Sequence, residues 1–272
     1  MTQQEKGVRF RALHEAPGVF VIPNPWDGAS ARILASLGFP ALTTSSAAAA
    51  ATLGRPDGRL SRDEALAHMR TVAAAVDLPV AGDLENGFGD APETVAETIR
   101  LAAEAGLVGG SIEDATGRED EPLYELAPAT ERVAAAVQAA RALPFPFTLV
   151  ARAEGFIRGR PDLDDVILRL QAYERAGADV LFAPGLPDLE AVRRVCASVT
   201  KPVNVMAAVP GRGFTVANLA AVGVKRISLA ASLYRAAMTA LVASAREVLD
   251  AGSFGYLERT IPSAEFGAYL KT

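Results

Sequence analysis

Cysteine is almost missing from this chain. Cys196 stands alone, so no intrachain disulfide can form, and a reducing compartment is the natural setting. Histidine is nearly as scarce. Only His14 and His68 occur, and neither lies at the end of an apolar run, so a Ser-His-Asp triad is not expected. The lysines are Lys6, Lys201, Lys225 and Lys271. Lys201 and Lys225 precede apolar runs rather than follow them, which argues against a Schiff-base aldolase. No window of about 18 uninterrupted apolar residues exists, so no membrane span is expected. The opening Met1-Thr2-Gln3-Gln4-Glu5-Lys6 is polar and has no apolar signal core. The net charge is −5 and the pI about 5.2, with no block of like charge to attract nucleic acid or an anionic membrane. These absences point to a cytoplasmic protein without nucleic-acid or membrane partners. Pro210-Gly211-Arg212-Gly213 lacks a Walker lysine and reads as a plain loop.

What the chain does contain is a repeated unit. Half of its 272 residues are hydrophobic, enough for a large core. In four places an amphipathic stretch ends at a glycine and an apolar run follows, at Gly38, Gly106, Gly177 and Gly223. Glycine suits the left-handed position just past a helix, and the run after it reads as a buried strand. Eight such runs fall near residues 19–22, 41–44, 79–83, 109–113, 147–152, 179–183, 202–206 and 225–229. Helical stretches separate them, near 27–37, 62–76, 92–105, 128–142, 162–176, 187–198, 215–222 and 230–250. Strict alternation implies a parallel sheet with right-handed crossovers, and eight units in about 250 residues match a (β/α)8 TIM barrel. The alternative is a doubly wound open sheet. That fold usually carries Gly-x-Gly-x-x-Gly after its first strand, where this chain has Pro23-Asn24-Pro25-Trp26-Asp27. The whole chain, 1–272, reads as one barrel domain, with 253–272 as a short capping tail.

Barrel chemistry sits at the C-terminal ends of the strands. There the sequence places Thr43-Thr44-Ser45-Ser46, Asp83-Leu84-Glu85, Glu113-Asp114 and Arg152-Ala153-Glu154, with Asp57 in the loop after the second run. Asp83 and Glu85 are two apart and so share one face of a strand. Neighbouring carboxylates repel, and a divalent cation removes the repulsion. Oxygen donors without histidine or thiolate favour Mg2+, with Mn2+ possible, over zinc. Asp-x-Glu alone is equally at home capping helices or pairing with rim arginines. Arg158-Gly159-Arg160 reads as a solvated stretch, and Cys196 as a packing residue of its helix.

In combination, five segments resemble the isocitrate lyase/phosphoenolpyruvate mutase superfamily. They are 24–32, 44–57, 82–89, 111–114 and 150–154, spread over most of the chain. The resemblance implies that Ser45 and Ser46 hold the substrate carboxylate, partly through backbone N–H groups. It implies that Asp83 ligates the metal directly, that Asp57, Glu85 and Glu113 reach it mostly through water, and that Arg152 binds substrate oxygens. Asp57, Glu113 and Arg152 are thereby the candidate catalytic residues. It also implies a homo-oligomer, a tetramer or a dimer, with the last helix exchanged between neighbours.

The chain departs from the best-known members. The superfamily's lyases carry a cysteine in the loop after the fourth strand, and its phosphonate mutases a lysine and an asparagine. Here that loop, residues 115–124, has none of the three. Where mutases place a histidine and lyases an acid, after the sixth run, stands Pro184. The expectation is therefore a Mg2+-dependent lyase or decarboxylase acting on a small 2-oxo acid such as oxaloacetate, through a metal-stabilised enolate. The alternatives are a 2-methylisocitrate lyase-like or phosphonomutase-like enzyme, and a barrel that only binds a small carboxylate. Glu113, acting through water, and Tyr124 are the candidate proton donors.

Overall fold

The structure is a computed structural model that describes residues 1–271. Eight parallel strands form one sheet in the order β1-β8-β7-β6-β5-β4-β3-β2. They are β1 (Phe20–Ile22), β2 (Leu42–Thr43), β3 (Val80–Asp83), β4 (Gly109–Glu113), β5 (Thr148–Arg152), β6 (Val180–Phe182), β7 (Val203–Met206) and β8 (Arg226–Ser228). No ladder joins β1 to β2. The gap is bridged by Thr43 N–H donating to the Pro23 carbonyl at 3.1 Å and by the Asn24 amide donating to the Thr44 carbonyl at 2.9 Å. The result is a nearly closed TIM-like barrel, and the open-sheet alternative is set aside.

The helices are α1 (Gln3–Glu15), α2 (Gly28–Ser36), α3 (Ser46–Thr52), α4 (Arg62–Ala75), α5 (Pro92–Glu104), α6 (Leu126–Arg141), α7 (Leu163–Arg175), α8 (Leu189–Ser198), α9 (Val216–Ala221), α10 (Ser232–Ala251) and α11 (Ser263–Tyr269). The four glycines read as helix terminators all have positive φ, from 92° to 100°, as the left-handed position requires. Most of the outer layer is held by apolar stripes. α5 buries Val95, Ile99 and Ala102, and α8 buries Val192 and Val195. Cys196 of α8 is partly buried and packs with Val192 and Val195 in the same apolar layer.

Helices α1, α3 and α11 fall outside the repeat of eight. Helix α1 closes the N-terminal end of the barrel. Its Phe10 is fully buried against Ile22, Ala41, Ala81 and Val108, and a Cβ at Gly109 would stand 2.7 Å from its ring. His14 of the same helix is buried and packs edge-on to Phe10 and Phe20. Helix α10 differs from every other long helix in burying none of its residues. Beyond it, α11 lies against α2, and the Leu270 carbonyl accepts from Arg32 Nη1 at 2.8 Å.

Candidate active site

Parallel register decides which side chains share the barrel interior. Asp83 is paired with Ser111, Ser111 with Val150, and Val150 with Val180. One step further along, Glu113 is paired with Arg152, Arg152 with Phe182, Phe182 with Asn204, and Asn204 with Arg226. Partners on parallel strands point the same way. The sequence-predicted acids and Arg152 therefore come together at one mouth.

Asp83 is fixed at three points. Its own N–H donates to Thr44 Oγ1 at 3.0 Å, and its Oδ2 accepts from the Ser46 N–H at 3.1 Å. Its Oδ1 faces Arg152 Nη1 at 3.5 Å. Ser45 is the N-cap of α3 and accepts from the Ala48 N–H through its side chain. This is why Thr44-Ser45-Ser46 can present backbone donors at the mouth: the chain turns there from strand to helix.

Arg152 is the hub. Its Nη1 lies 3.1 Å from Glu113 Oε2, its Nε donates to Glu154, and its guanidinium stands 5.3 Å from the centre of the Phe182 ring. The surrounding carboxylates raise its pKa against the cost of burial, so it stays charged. Arg158 is a correction to the sequence reading. It is partly exposed, as a solvated residue would be, but it also reaches the site: its Nη2 lies 3.1 Å from Glu113 Oε1 and its Nε 3.0 Å from Glu154 Oε2. The 3-10 turn Gly155–Ile157 folds it back over the end of β5. Glu154, fully buried, is the other residue whose part the sequence did not reveal.

Tyr124 is a second correction. Its hydroxyl is taken by Asp90, and Arg132 stacks on its ring at 4.2 Å. Burial and Asp90 push its pKa to about 12, which suits a structural tie rather than a proton donor. Asp114, next to Glu113, is also structural. It accepts from the Glu154 N–H, the Tyr173 hydroxyl and Arg169.

Two adjoining cavities share Ser46, Asp57 and Arg152 in their walls. The outer one, about 390 Å3, is lined by Asp57, Glu85, Glu113 and Arg158. The inner one, about 200 Å3, runs past Asp83 and Ser45 down to Asn204, Arg226 and Ser228. A larger hollow of about 590 Å3 borders Arg118, Tyr124 and Arg169, but none of its lining residues lies on a strand. The strand-end cavities hold the converging polar groups, so the candidate site is there.

Charge in the outer cavity does not balance. Asp57, Asp83, Glu85, Glu113 and Glu154 in and beside it are met by Arg152, Arg158 and, at the rim, the exposed Arg59, five carboxylates against three guanidiniums. Burial raises Glu85 to about 7, and Asp83 and Asp57 push it the same way. Burial also raises Glu113, with Glu154 and Asp83 adding to it against the two arginines. Such a surplus fits a divalent cation. Among the described residues no three His, Cys, Asp or Glu side chains converge as a direct ligand cage. The donor set thus fits a hard cation bound by one carboxylate and otherwise by water, the usual habit of Mg2+.

Backbone strain marks the same mouth. The non-glycine residues with positive φ are Glu85 (48°), Phe88 (60°) and Ala230 (47°). Glu85 and Phe88 line the outer cavity and Ala230 the inner one.

Comparison with known proteins agrees with this geometry. Residues 10–249 match the phosphoenolpyruvate phosphomutase family. A Burkholderia cenocepacia J2315 protein whose reaction is given only as lyase/mutase has a crystal structure 53% identical in sequence, with a TM-score of 0.96. The match covers 98% of this chain and 96% of that one. An oxaloacetate decarboxylase of Bradyrhizobium sp. (strain BTAi1) is 32% identical over 252 residues, 90% of this chain and 85% of that protein. A 2-methylisocitrate lyase of Bacillus subtilis (strain 168) is 32% identical over 212 residues, 74% of this chain and 67% of that protein.

Proposed function

This chain belongs to the isocitrate lyase/phosphoenolpyruvate mutase superfamily, and from that premise we propose that it is a divalent-metal-dependent carbon–carbon lyase acting on a small 2-oxo acid, with oxaloacetate the first substrate to test. The observation that carries the reading is the unbalanced carboxylate set around Asp83, closed on one side by Arg152. The loop 115–124 adds to it. The loop offers no cysteine for cleaving a larger 2-hydroxy tricarboxylate, and its Tyr124 is tied to Asp90.

The residues divide the work. Ser45, Ser46 and Arg152 line the place where a carboxylate and a ketone oxygen would lie. When the bond between C3 and the departing carboxylate breaks, its electron pair moves into an enolate and CO2 leaves. Negative charge then grows on the ketone oxygen. Arg152, held charged by its acidic neighbours, stabilises that charge more than it stabilises the substrate. Bound at Asp83, with Asp57, Glu85 and Glu113 reached through water, Mg2+ would supply Lewis-acid stabilisation of the same charge. Arg152 cannot release a proton. Glu113, its pKa raised by burial, can give one to C3 and regain it from water.

The test is turnover of oxaloacetate by the purified protein with Mg2+ or Mn2+, with and without EDTA, against Asp83→Ala at equal metal, because free Mg2+ also decarboxylates oxaloacetate. Turnover above the variant that EDTA removes is expected. Equal rates for both proteins would overturn the reading. Cleavage of isocitrate and 2-methylisocitrate is expected to be negligible.

Assembly belongs to the same reading. Leu241, Val242 and Leu249 of α10 are exposed, and the helix buries nothing within the chain. A homo-oligomer in which α10 packs on a neighbour is the expected state. Light scattering at micromolar concentration checks it, and a monomer would refute it.

A further inference from the structure

The inner cavity ends on an arginine that the chain leaves unpartnered. Arg226 is 4% exposed, lies on β8 inside the barrel and lines the cavity wall. Among the described residues its Nε and Nη1 have no hydrogen-bond partner. The Phe10 ring lies below it, with its centre 5.9 Å from the guanidinium. No carboxylate offsets the cost of burying it, and burial alone lowers its pKa to about 10. Every other buried arginine here is engaged. Arg152 has three carboxylates, Arg169 has Asp114 and Asp165, and Arg132 donates to three backbone carbonyls. An unpaired charge at such a depth costs several kcal/mol by general estimate, unless an anion joins it.

Ser228, two residues further along β8, lines the same cavity. Its Oγ accepts from Asn204 Nδ2 at 3.0 Å, which leaves its own O–H free to donate. Phe182 and Met206 line the same cavity and contribute no charge.

We propose that Arg226 and Ser228 form an anion subsite at the base of the inner cavity, which takes the second carboxylate of a 2-oxo dicarboxylic acid whose first carboxylate lies at Ser46 and Arg152. The inference rests on the 2-oxo acid reading above and narrows it from 2-oxo acids in general to dicarboxylates. One guanidinium balances one carboxylate. A phosphonate dianion would leave a negative charge uncompensated there, so carboxylate is the favoured chemistry. A cavity of about 200 Å3 suits a short dianion and excludes long chains.

Calorimetric titration tests it, with two probes and three proteins. The probes are 3,3-difluorooxaloacetate, a dianion that resists decarboxylation, and 2-oxobutyrate, a monoanion of similar size. The proteins are wild type, Arg226→Met and Arg226→Gln, all with Mg2+. Wild type is expected to bind the dianion about 10- to 100-fold more tightly than the monoanion, the size of a charge-assisted hydrogen-bond pair. Both variants should lose that preference and keep monoanion affinity within about threefold. The melting temperature of ligand-free Arg226→Met should not fall, because an uncompensated buried charge has been replaced by an apolar chain of similar length. If Arg226→Met does not fold, the subsite stands or falls on Arg226→Gln. A preference for the dianion that survives in the folded variants overturns the subsite and leaves the 2-oxo acid reading intact. Equal wild-type affinity for both probes does the same. Binding of neither probe to wild type overturns the 2-oxo acid reading, and the subsite with it.

Discussion

The two sides of the barrel interior handle charge in opposite ways. From β3 to β5, Asp83, Glu113, Arg152, Glu154 and Arg158 are crowded and cross-linked, and carboxylates outnumber guanidiniums. From β6 to β8 the interior is Val180, Phe182, Asn204, Met206 and Ser228, with Arg226 as its single charge and no partner for it. One side carries more negative charge than its arginines balance and the other carries an unbalanced positive charge. A ligand with a cation at one end and a carboxylate at the other would complete both. In the proposed reaction, the crowded side does the chemistry and the sparse side selects the substrate.

The sharpest way to break this division is at its most charged point. Asp83→Ala should lower kcat/KM for oxaloacetate by about 10²- to 10³-fold, the usual cost of losing a group that stabilises transition-state charge. It should also raise the Mg2+ concentration needed for half-maximal rate. A variant with wild-type turnover and metal dependence would move the chemistry elsewhere. Next in size is Arg152→Met. This leaves buried Glu113 and Glu154 with only half-exposed Arg158, so stability should fall by about 3–5 kcal/mol in chemical denaturation at pH 7.5. Arg158→Met should cost less than half of that, since solvent already screens Arg158. Equal losses would mean that Arg152 is not the hub.

Much of this was legible in the sequence because strand and helix periods are local properties. Gly38, Gly106, Gly177 and Gly223 ended helices where expected, and every strand fell within a residue or two of its apolar run. The convergence of Asp83, Glu113 and Arg152 was legible too, since strand-end position carries it. Other features depend on distant contacts. Nothing in Arg158-Gly159-Arg160 signals that a 3-10 turn returns Arg158 to Glu113, and Tyr124 gave no sign of its bond to Asp90. Helix α1 went unread because its buried face is only Gly7, Phe10 and His14 in a polar sequence. Arg226 did leave a trace. An arginine inside the apolar run 225–229 contradicts burial on both faces, and only the barrel shows that it points inward.

The crowded side should also give itself away in its response to pH. Glu85 sits near 7 in the fold and near 4.5 when unfolded. Between those values the folded chain holds a proton that the unfolded chain has released. The stability linked to this group is therefore full below about pH 4.5 and is lost as pH rises through about 7. Without metal, the melting temperature of wild type should fall by a few degrees more than that of Glu85→Gln between pH 5 and pH 8, at about 2–4 °C per kcal/mol for a chain of this size. Mg2+ should restore the loss at pH 8 and do little at pH 5. Parallel pH profiles for the two proteins would show that Glu85 is not under electrostatic pressure.

The smallest effect concerns strain on the sparse side. Ala230 follows β8, lines the inner cavity and has φ of 47°. A left-handed conformation costs a residue with a Cβ about 1–2 kcal/mol, and glycine avoids most of that. Glu85 and Phe88 are held in the same conformation, but replacing Glu85 removes a carboxylate and replacing Phe88 removes packing against the core. Ala230→Gly loses only a methyl group. Glycine also gains freedom in the unfolded chain, which offsets part of the relief. The net expectation is a gain of up to about 1 kcal/mol in denaturant unfolding. The strained turn also holds Ala230 and Ala231 in the wall of the inner cavity. Relaxing it should weaken binding of the dianionic probe by a few fold while leaving the metal requirement unchanged. A loss of stability would mean that the turn is set by contacts with the methyl group, not by the backbone. A changed metal requirement would mean that the two sides of the barrel are coupled through β8 and do not act separately.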